Sequence, residues 1–329
     1  MERESAAPPA LWSPVRLRQL GAPLLILLLL GLAAIVPQLT SRPDTLNLLF
    51  LVFLYITLGQ SWNILGGFAG QINLGHSAFF GMGALTTRSL WGGGVPFALA
   101  FLAGGVVALA FALIIGVPTF RLRGAYFAMG TLALAQALFL TIANVLPGIS
   151  TLPVELIVRY DLGSRYYLAL GLAVVTVVSA YVLLRSHVSL GILAIREDED
   201  AARATGVDPL RHKLLSLGVS GFYAGLAGAT FAYHEVSYYP SNPFNLIWGF
   251  DAIVITFVGG VGTLIGPVIG AVFFVLLREQ LAVTLVQVHQ VVFGVLFILV
   301  VLLLPGGLVD AWSRLQHTVR RMSGLRGSR

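Results

Sequence analysis

Long apolar runs, spaced almost end to end, constrain this chain more than any other feature. A helix needs roughly 20 apolar residues to cross the hydrocarbon core of a bilayer. Ten stretches meet or approach that length: Leu20–Leu39, Leu46–Gly66, His76–Trp91, Pro96–Pro118, Ala125–Leu146, Tyr166–Leu184, Leu214–Tyr233, Leu246–Val258, Leu264–Leu277 and Leu281–Leu304. Composition agrees. The chain is 57% hydrophobic and 10% charged, against roughly 25% charged in soluble domains. Too little polar surface exists to face water, so lipid is the solvent for most of it. The expected fold is an all-α polytopic membrane protein of about ten spans.

Charge supplies the orientation. With the N-terminus inside, fifteen Arg and Lys fall inside and four (Arg42, Arg159, Arg165, Arg278) outside. That asymmetry follows the excess of cytoplasmic cations that orients membrane helices. It predicts cytoplasmic termini and an even number of spans, ten or, with re-entrant segments, eight. The expected organisation is a cytoplasmic tail over 1–19, a permease domain over 20–305 with a cytoplasmic loop at 185–213, and a basic cytoplasmic tail over 306–329. Arg88, near the outer end of the third span, is expected to snorkel to the interface. Adjacent Arg278 and Glu279 are expected to mark an external turn.

Several chemistries are excluded. There are no cysteines, hence no thiolate metal site or cysteine nucleophile. The one lysine, Lys213, follows His212, so no Gly-Lys-Ser/Thr phosphate loop exists. His234-Glu235 lacks a second histidine four residues on, where Tyr238 stands, so the zinc-protease pattern fails. No enzyme site is found. Energy for transport must come from a partner or an ion gradient.

Two regions break the apolar pattern. Gly66, Gly67, Gly70 and Gly75 precede the third span; Gly259, Gly260, Gly262 and Gly266 precede or open the ninth. Paired glycine-interrupted segments in two halves point to a transport pathway and an internal, partly inverted repeat. Non-helical backbone at membrane depth is tolerated only where protein or a water-filled cavity covers it. Gln71, Asn73, His76, Ser77, Asp251, Gly259 and Gly260 are therefore candidates to line a path. The first four serve either a passing solute or the backbone groups freed by the break. Asp251, a carboxylate inside a span, needs a cavity or a partner. Gly218, Gly221, Gly225 and Gly228 recur at steps of three, four and three. They share one helical face on which another helix can approach closely.

The loop Leu184–Leu215 carries ten charged residues. Ile195–Thr205 reads as one short helix stopped by Gly206. Arg196 with Asp200, and Glu199 with Arg203, are spaced to pair across a turn. A helix of this kind suits docking on another protein.

Four blocks, in order, resemble the LivM-type permeases of ATP-binding-cassette importers for branched-chain amino acids. They are GFAGQINLGHSAFFGMGA (67–84), RLRGAYFAMGTLALAQ (121–136), LGILAIREDEDAARATGVDPLRHKLLSLGVSGFYAGLAGA (190–229) and VGGVGTLIGPVIGA (258–271). Asp200-Ala201-Ala202 with Gly206 resembles the Glu-Ala-Ala-x-x-x-Gly loop that docks on the ATPases, with Asp for Glu. The resemblance thus implies that Arg196, Glu197, Asp198, Asp200, Ala201, Ala202 and Gly206 form the coupling segment. It implies a second, LivH-type permease, two cytoplasmic ATPases holding ATP and magnesium, an external solute-binding protein, the bacterial inner membrane, and no nucleic acid. This chain itself would bind no cofactor. Related permeases also take urea and short amides. Three places depart from the family pattern. NVLPGISTLPVELIVRY (144–160) replaces a Thr-Gly-Gly-rich external stretch, Leu85 stands where Tyr is usual, and Pro305-Gly306-Gly307 replaces Pro-Arg-Gly. An ion-coupled transporter working without an ATPase is the alternative reading.

Overall fold

The computed structural model describes residues 33–40, 42–158, 160–284, 292, 294, 295, 298, 302 and 306–311. Most of the predicted first span and most of the tenth lie outside the described residues, as do the two tails apart from 306–311. The chain divides into two compact units, 1–46 and 47–329. In the first, residues 33–39 are helical.

The further α-helices with both ends described are α1 (Pro43–Asn63), α2 (His76–Gly92), α3 (Phe97–Thr119), α4 (Ala125–Val145), α5 (Val154–Val158), α6 (Leu162–Arg185), α7 (His187–Glu197), α8 (Glu199–Ala204), α9 (Pro209–His234), α10 (Leu246–Gly259) and α11 (Gly266–Thr284). The β structure among described residues is one antiparallel pairing, Ser150 with Tyr238 and Thr151 with Ser237. The protein is an all-α polytopic membrane protein. Among the described residues, five helical segments are long and apolar enough to span: Pro43–Phe68, Phe97–Thr119, Ala125–Val145, Leu162–Arg185 and Pro209–His234.

These five differ in environment. Pro43–Phe68 and Pro209–His234 are 78% buried within the chain, against 17–33% for the other three. The first pair forms the centre and the others the wall. The reason is side-chain size. A Cβ on Gly225 would lie against Ala108, and one on Gly221 against Ala112, both on α3. A Cβ on Gly228 would overlap the Phe80 carbonyl oxygen of α2. Gly218 faces Leu109 and Leu113 of α3. With no apolar driving force between helices in lipid, such close backbone approach supplies the dispersion contacts that hold a bundle. α9 therefore sits in a cleft between α2 and α3. On the wall, aliphatic side chains such as Leu99, Ile114, Val175 and Val182 are exposed.

Two arginines depart from expectation. Arg88 does not snorkel. It is 3% exposed, and its guanidinium donates to the carbonyls of Ala232 (3.3 Å), Glu235 (2.8 Å) and Val236 (2.6 Å). Arg165, counted outside and just ahead of the sixth span by the sequence, lies in the first turn of α6 at 1% exposure. Its Nε donates to the Tyr233 carbonyl (2.8 Å), and its plane stacks over Tyr160 and Tyr233. A helix leaves its last carbonyls unpaired and carries partial negative charge there. Both arginines answer that need at the C-terminus of α9. Close by, Asp161 caps α6. Hydrogen bonds from the Ser164 hydroxyl (2.6 Å) and backbone (2.8 Å) hold its carboxyl below the usual range.

A third correction concerns Arg278 and Glu279. They form no turn, because α11 runs through them to Thr284. Within that helix Arg278 pairs with Asp251 (3.2 Å).

Candidate functional site

The two glycine-broken regions meet. α1 ends in a π-helical turn, Ile64–Phe68, buried throughout. Its preceding residue, Asn63, uses both ends of its amide. Oδ1 accepts from the Gly262 amide (2.9 Å), and Nδ2 donates to the Thr263 carbonyl (2.9 Å). One side chain thus serves the freed backbone of a segment 200 residues away. Gly262 has φ +75° and Gly260 φ +133°, conformations that only glycine adopts without strain. Gly67 packs so tightly that a Cβ would overlap Asn63 Oδ1. Gly259 packs the same way on the Gly266 carbonyl, and Gly260 lies near Gly306 and Val309. This backbone is covered by protein, as membrane depth requires.

A third element enters the junction. Arg196, the penultimate residue of α7, donates from Nη1 to the Gly67 carbonyl (2.9 Å). Its stem lies on Gly70, where a Cβ would be 3.1 Å from Cγ. Its Nη1 would be 2.5 Å from a Cβ on Gly262. One guanidinium touches both glycine regions. The expected Arg196–Asp200 pair does not form. Asp200 instead faces Arg123 (3.6 Å) and Arg203 (3.9 Å).

The loop that carries Arg196 is two helices, not the single Ile195–Thr205 helix expected. Asp198 separates them. Its Oδ1 accepts from the amides of Asp200 and Ala201 (both 2.9 Å), a cap that starts α8. Gly206 at φ +90° ends the second helix. Glu197, Asp198, Asp200, Ala201 and Gly206 are exposed, and Ala202 is buried. The pair is fastened below by Glu199, whose Oε2 accepts from Lys213 at 2.5 Å. Lys213, the only lysine, is nearly buried on α9. The exposed pair Glu199–Arg203 (3.5 Å) contributes little, as solvent-exposed ion pairs do.

The other candidates are dispersed. Asn73 Oδ1 accepts from the Gly75 amide (2.8 Å), and its carbonyl accepts from Trp62 Nε1 (2.8 Å). Gln71 donates to the Ala69 carbonyl (3.3 Å). These bonds serve the break itself. His76 Nε2 pairs with Ser61 Oγ (2.8 Å), while His76 Nδ1, Ser77 Oγ and both Gln60 amide atoms are buried without a hydrogen-bond partner among the described residues. Asp251 stands apart from the junction, on α10 with Tyr55 and Arg278. No group of three metal-binding side chains occurs among the described residues. Asn63 and Arg278 escaped the sequence reading. Asn63 carries one signal, an amide directly before the Ile-Leu-Gly-Gly break.

Asn63→Ala removes two hydrogen bonds and orphans the Gly262 amide and the Thr263 carbonyl. Each such loss costs about 1–3 kcal/mol. The purified chain is expected to lose thermal stability by about 3 kcal/mol in total, read from its melting in detergent. Asn63→Asp, which keeps one acceptor, is expected to fall between. Equal melting of wild type and alanine variant would show that the junction does not depend on this amide.

Residues 45–301 match the family model described as the branched-chain amino acid transport system / permease component. The chain is 28% identical over 319 residues to the high-affinity branched-chain amino acid transport system permease protein LivM of Escherichia coli (strain K12), covering 87% of this chain and 74% of that one. The LivM protein of Salmonella typhimurium (strain LT2) gives the same identity and coverage. No solved structure matches. A match over most of the chain, on a bundle of spanning helices joined through paired glycine breaks, makes this chain a member of the branched-chain amino acid transport system permease family.

Proposed function

We propose that this chain is one of two permease subunits in an ATP-driven importer, carrying branched-chain or related amino acids across the bacterial inner membrane by alternating access. The second permease is of the LivH type. Two cytoplasmic ATPases hold ATP and magnesium, and an external binding protein delivers the solute. Both termini of this chain are cytoplasmic.

The observation that carries this reading is the Arg196 contact. The exposed surface of α7 and α8, with Arg196, Glu197, Asp198, Asp200, Ala201 and Gly206, is the docking face for an ATPase. Ala202 packs beneath it. Arg196 links that face to the carbonyl of Gly67 and to Gly262. The Glu199–Lys213 pair links it to the central helix α9. Displacement of α7 and α8 by a closing ATPase dimer thus reaches both the glycine junction and the Gly218–Gly228 face. Gly259 and Gly260 form the hinge side of the junction. Gln71, Asn73, His76 and Ser77 line its approach.

The test is purification of the tagged native complex and its ATPase activity in lipid discs, with binding protein and candidate solutes present. A co-purifying ATPase stimulated by leucine, isoleucine or valine is the expected result. Gly206→Arg puts a side chain at φ +90° on the docking face, and is expected to abolish most of that stimulation. Solute movement on an ion gradient by the chain alone would overturn the reading. Stimulation by urea or short amides instead would overturn the substrate.

A further inference from the structure

Asp251, Tyr55 and Arg278 form a second polar site, away from the glycine junction. The Tyr55 hydroxyl donates to Asp251 Oδ2 (2.8 Å) and accepts from Arg278 Nη1 (2.8 Å). The same Nη1 donates to Asp251 Oδ2 (3.2 Å). Three helices, α1, α10 and α11, each supply one group.

The ion pair leaves much of its capacity unused. Both bonds from Arg278 leave through Nη1 and both bonds to Asp251 reach Oδ2, so the other two guanidinium nitrogens and Oδ1 make no bond to the described residues. A guanidinium matches a carboxylate best through two parallel bonds, and this one is set up for one. The Arg278 side chain is half exposed while the Asp251 side chain is 12% exposed. A half-exposed guanidinium in a spanning bundle does not face lipid, since intramembrane charges face a cavity or protein. The open side of Arg278 therefore faces a water-filled path or a partner.

Aromatic rings flank the pair. Tyr55 lies 5.2 Å from Phe274 and 5.8 Å from Trp248, which stacks on Phe80 at 4.6 Å. Arg278 itself lies over Phe274 at 6.0 Å.

We propose that this site receives the head group of a zwitterionic amino acid. The ligand carboxylate takes the unused nitrogens of Arg278. Its ammonium takes Asp251 Oδ1 beside the partly exposed ring of Trp248, whose face attracts a cation. Its apolar side chain lies along the same ring. Charge balance selects this ligand class. The protein pair sums to zero, and so does a zwitterion. An anion or a cation alone would leave one charge unbalanced away from bulk water, which is costly. The site supplies a preference for free amino acids within the permease, in addition to whatever the binding protein selects. This rests on the importer reading above and names where its substrate is held.

The experiment uses the assembled complex in lipid discs and labelled leucine, competed by leucine amide (a cation) and by the keto acid of leucine (an anion). Wild type is expected to bind leucine at least tenfold better than either competitor. Asp251→Asn is expected to lower leucine affinity at least tenfold and to shift preference toward the keto acid. Arg278→Gln is expected to do the same toward the amide. A purely structural ion pair predicts no opposite shifts, and leucine binding that changes equally for all three ligands would overturn the proposal. If either variant fails to assemble, Arg278→Lys and Asp251→Glu keep the charges. Leucine affinity at least fivefold lower in those two supports the site, and unchanged affinity overturns it. A wild-type complex that moves neutral amides and no amino acid overturns the substrate reading itself, before any variant is made.

Discussion

Arg196→Ala is expected to raise the ATP consumed per solute transported by about tenfold or more in the reconstituted complex. The residue makes one charged hydrogen bond, from Nη1 to the Gly67 carbonyl at 2.9 Å. Bonds of that kind are worth about 1.5–3 kcal/mol, and about 1.4 kcal/mol is a factor of ten in an equilibrium. Removing it separates the docking helices from the glycine junction by one to two decades in that linkage. Gly262→Ala attacks the same contact from the other side. It places a Cβ 2.5 Å from Nη1 at a backbone φ of +75°, so either Arg196 leaves or the segment refolds. It is expected to uncouple in the same direction. Arg203→Ala is the control. Arg203 lies on the same loop, but its own side chain is exposed and its pairs are 3.5 and 3.9 Å long, worth under about 1 kcal/mol. Its ratio is expected to change by no more than about twofold. Wild-type coupling in Arg196→Ala would remove this residue from the mechanism.

How far the sequence reaches is seen in which residues it places well. Hydropathy finds helices because lipid demands long apolar segments, whatever they touch. The starts of α2 at His76 and α4 at Ala125 fall where the apolar runs predict. Glycine spacing carries partial information too. Gly218, Gly221 and Gly225 do share a face against α3, though Gly228 turns toward α2. Charged residues inside the bundle are read poorly. Arg88, Arg165 and Arg278 were all placed at the outer interface or in external loops, because a transfer scale assigns each a cost and no partner. Their partners lie far off in sequence. Arg88 reaches carbonyls 144 to 148 residues away, and Tyr55 meets Asp251 across 196. Carbonyl acceptors leave no mark in a sequence at all, since every residue has one. The Arg196 contact was hidden for that reason. The two-helix loop was hidden by Asp198, whose cap competes locally with helix continuation.

Gly228→Val is expected to be among the most damaging single changes in the bundle. Its Cβ would overlap the Phe80 carbonyl oxygen, with the Ala84 amide 3.0 Å away. Both neighbours are backbone of α2, so no side chain can swing aside. Overpacking a tight core costs about 1–3 kcal/mol and occasionally more, and rigid neighbours place this site at the upper end. Displacing α2 also disturbs Arg88, whose guanidinium holds the carbonyls of Ala232, Glu235 and Val236 beyond the end of the same contact. Purified protein is expected to lose about 3 kcal/mol or to fail to accumulate as a monodisperse species in detergent. Gly171→Ala on α6 provides the contrast. Nothing lies within 4 Å of its added Cβ, and alanine in a helix interior is favoured over glycine by about 0.5–1 kcal/mol. It is expected to melt at or above wild type. If Gly228→Val melts with Gly171→Ala, then α9 is not held in its cleft by backbone contact. The regular glycine spacing would then need an explanation in movement of α9 rather than in its packing.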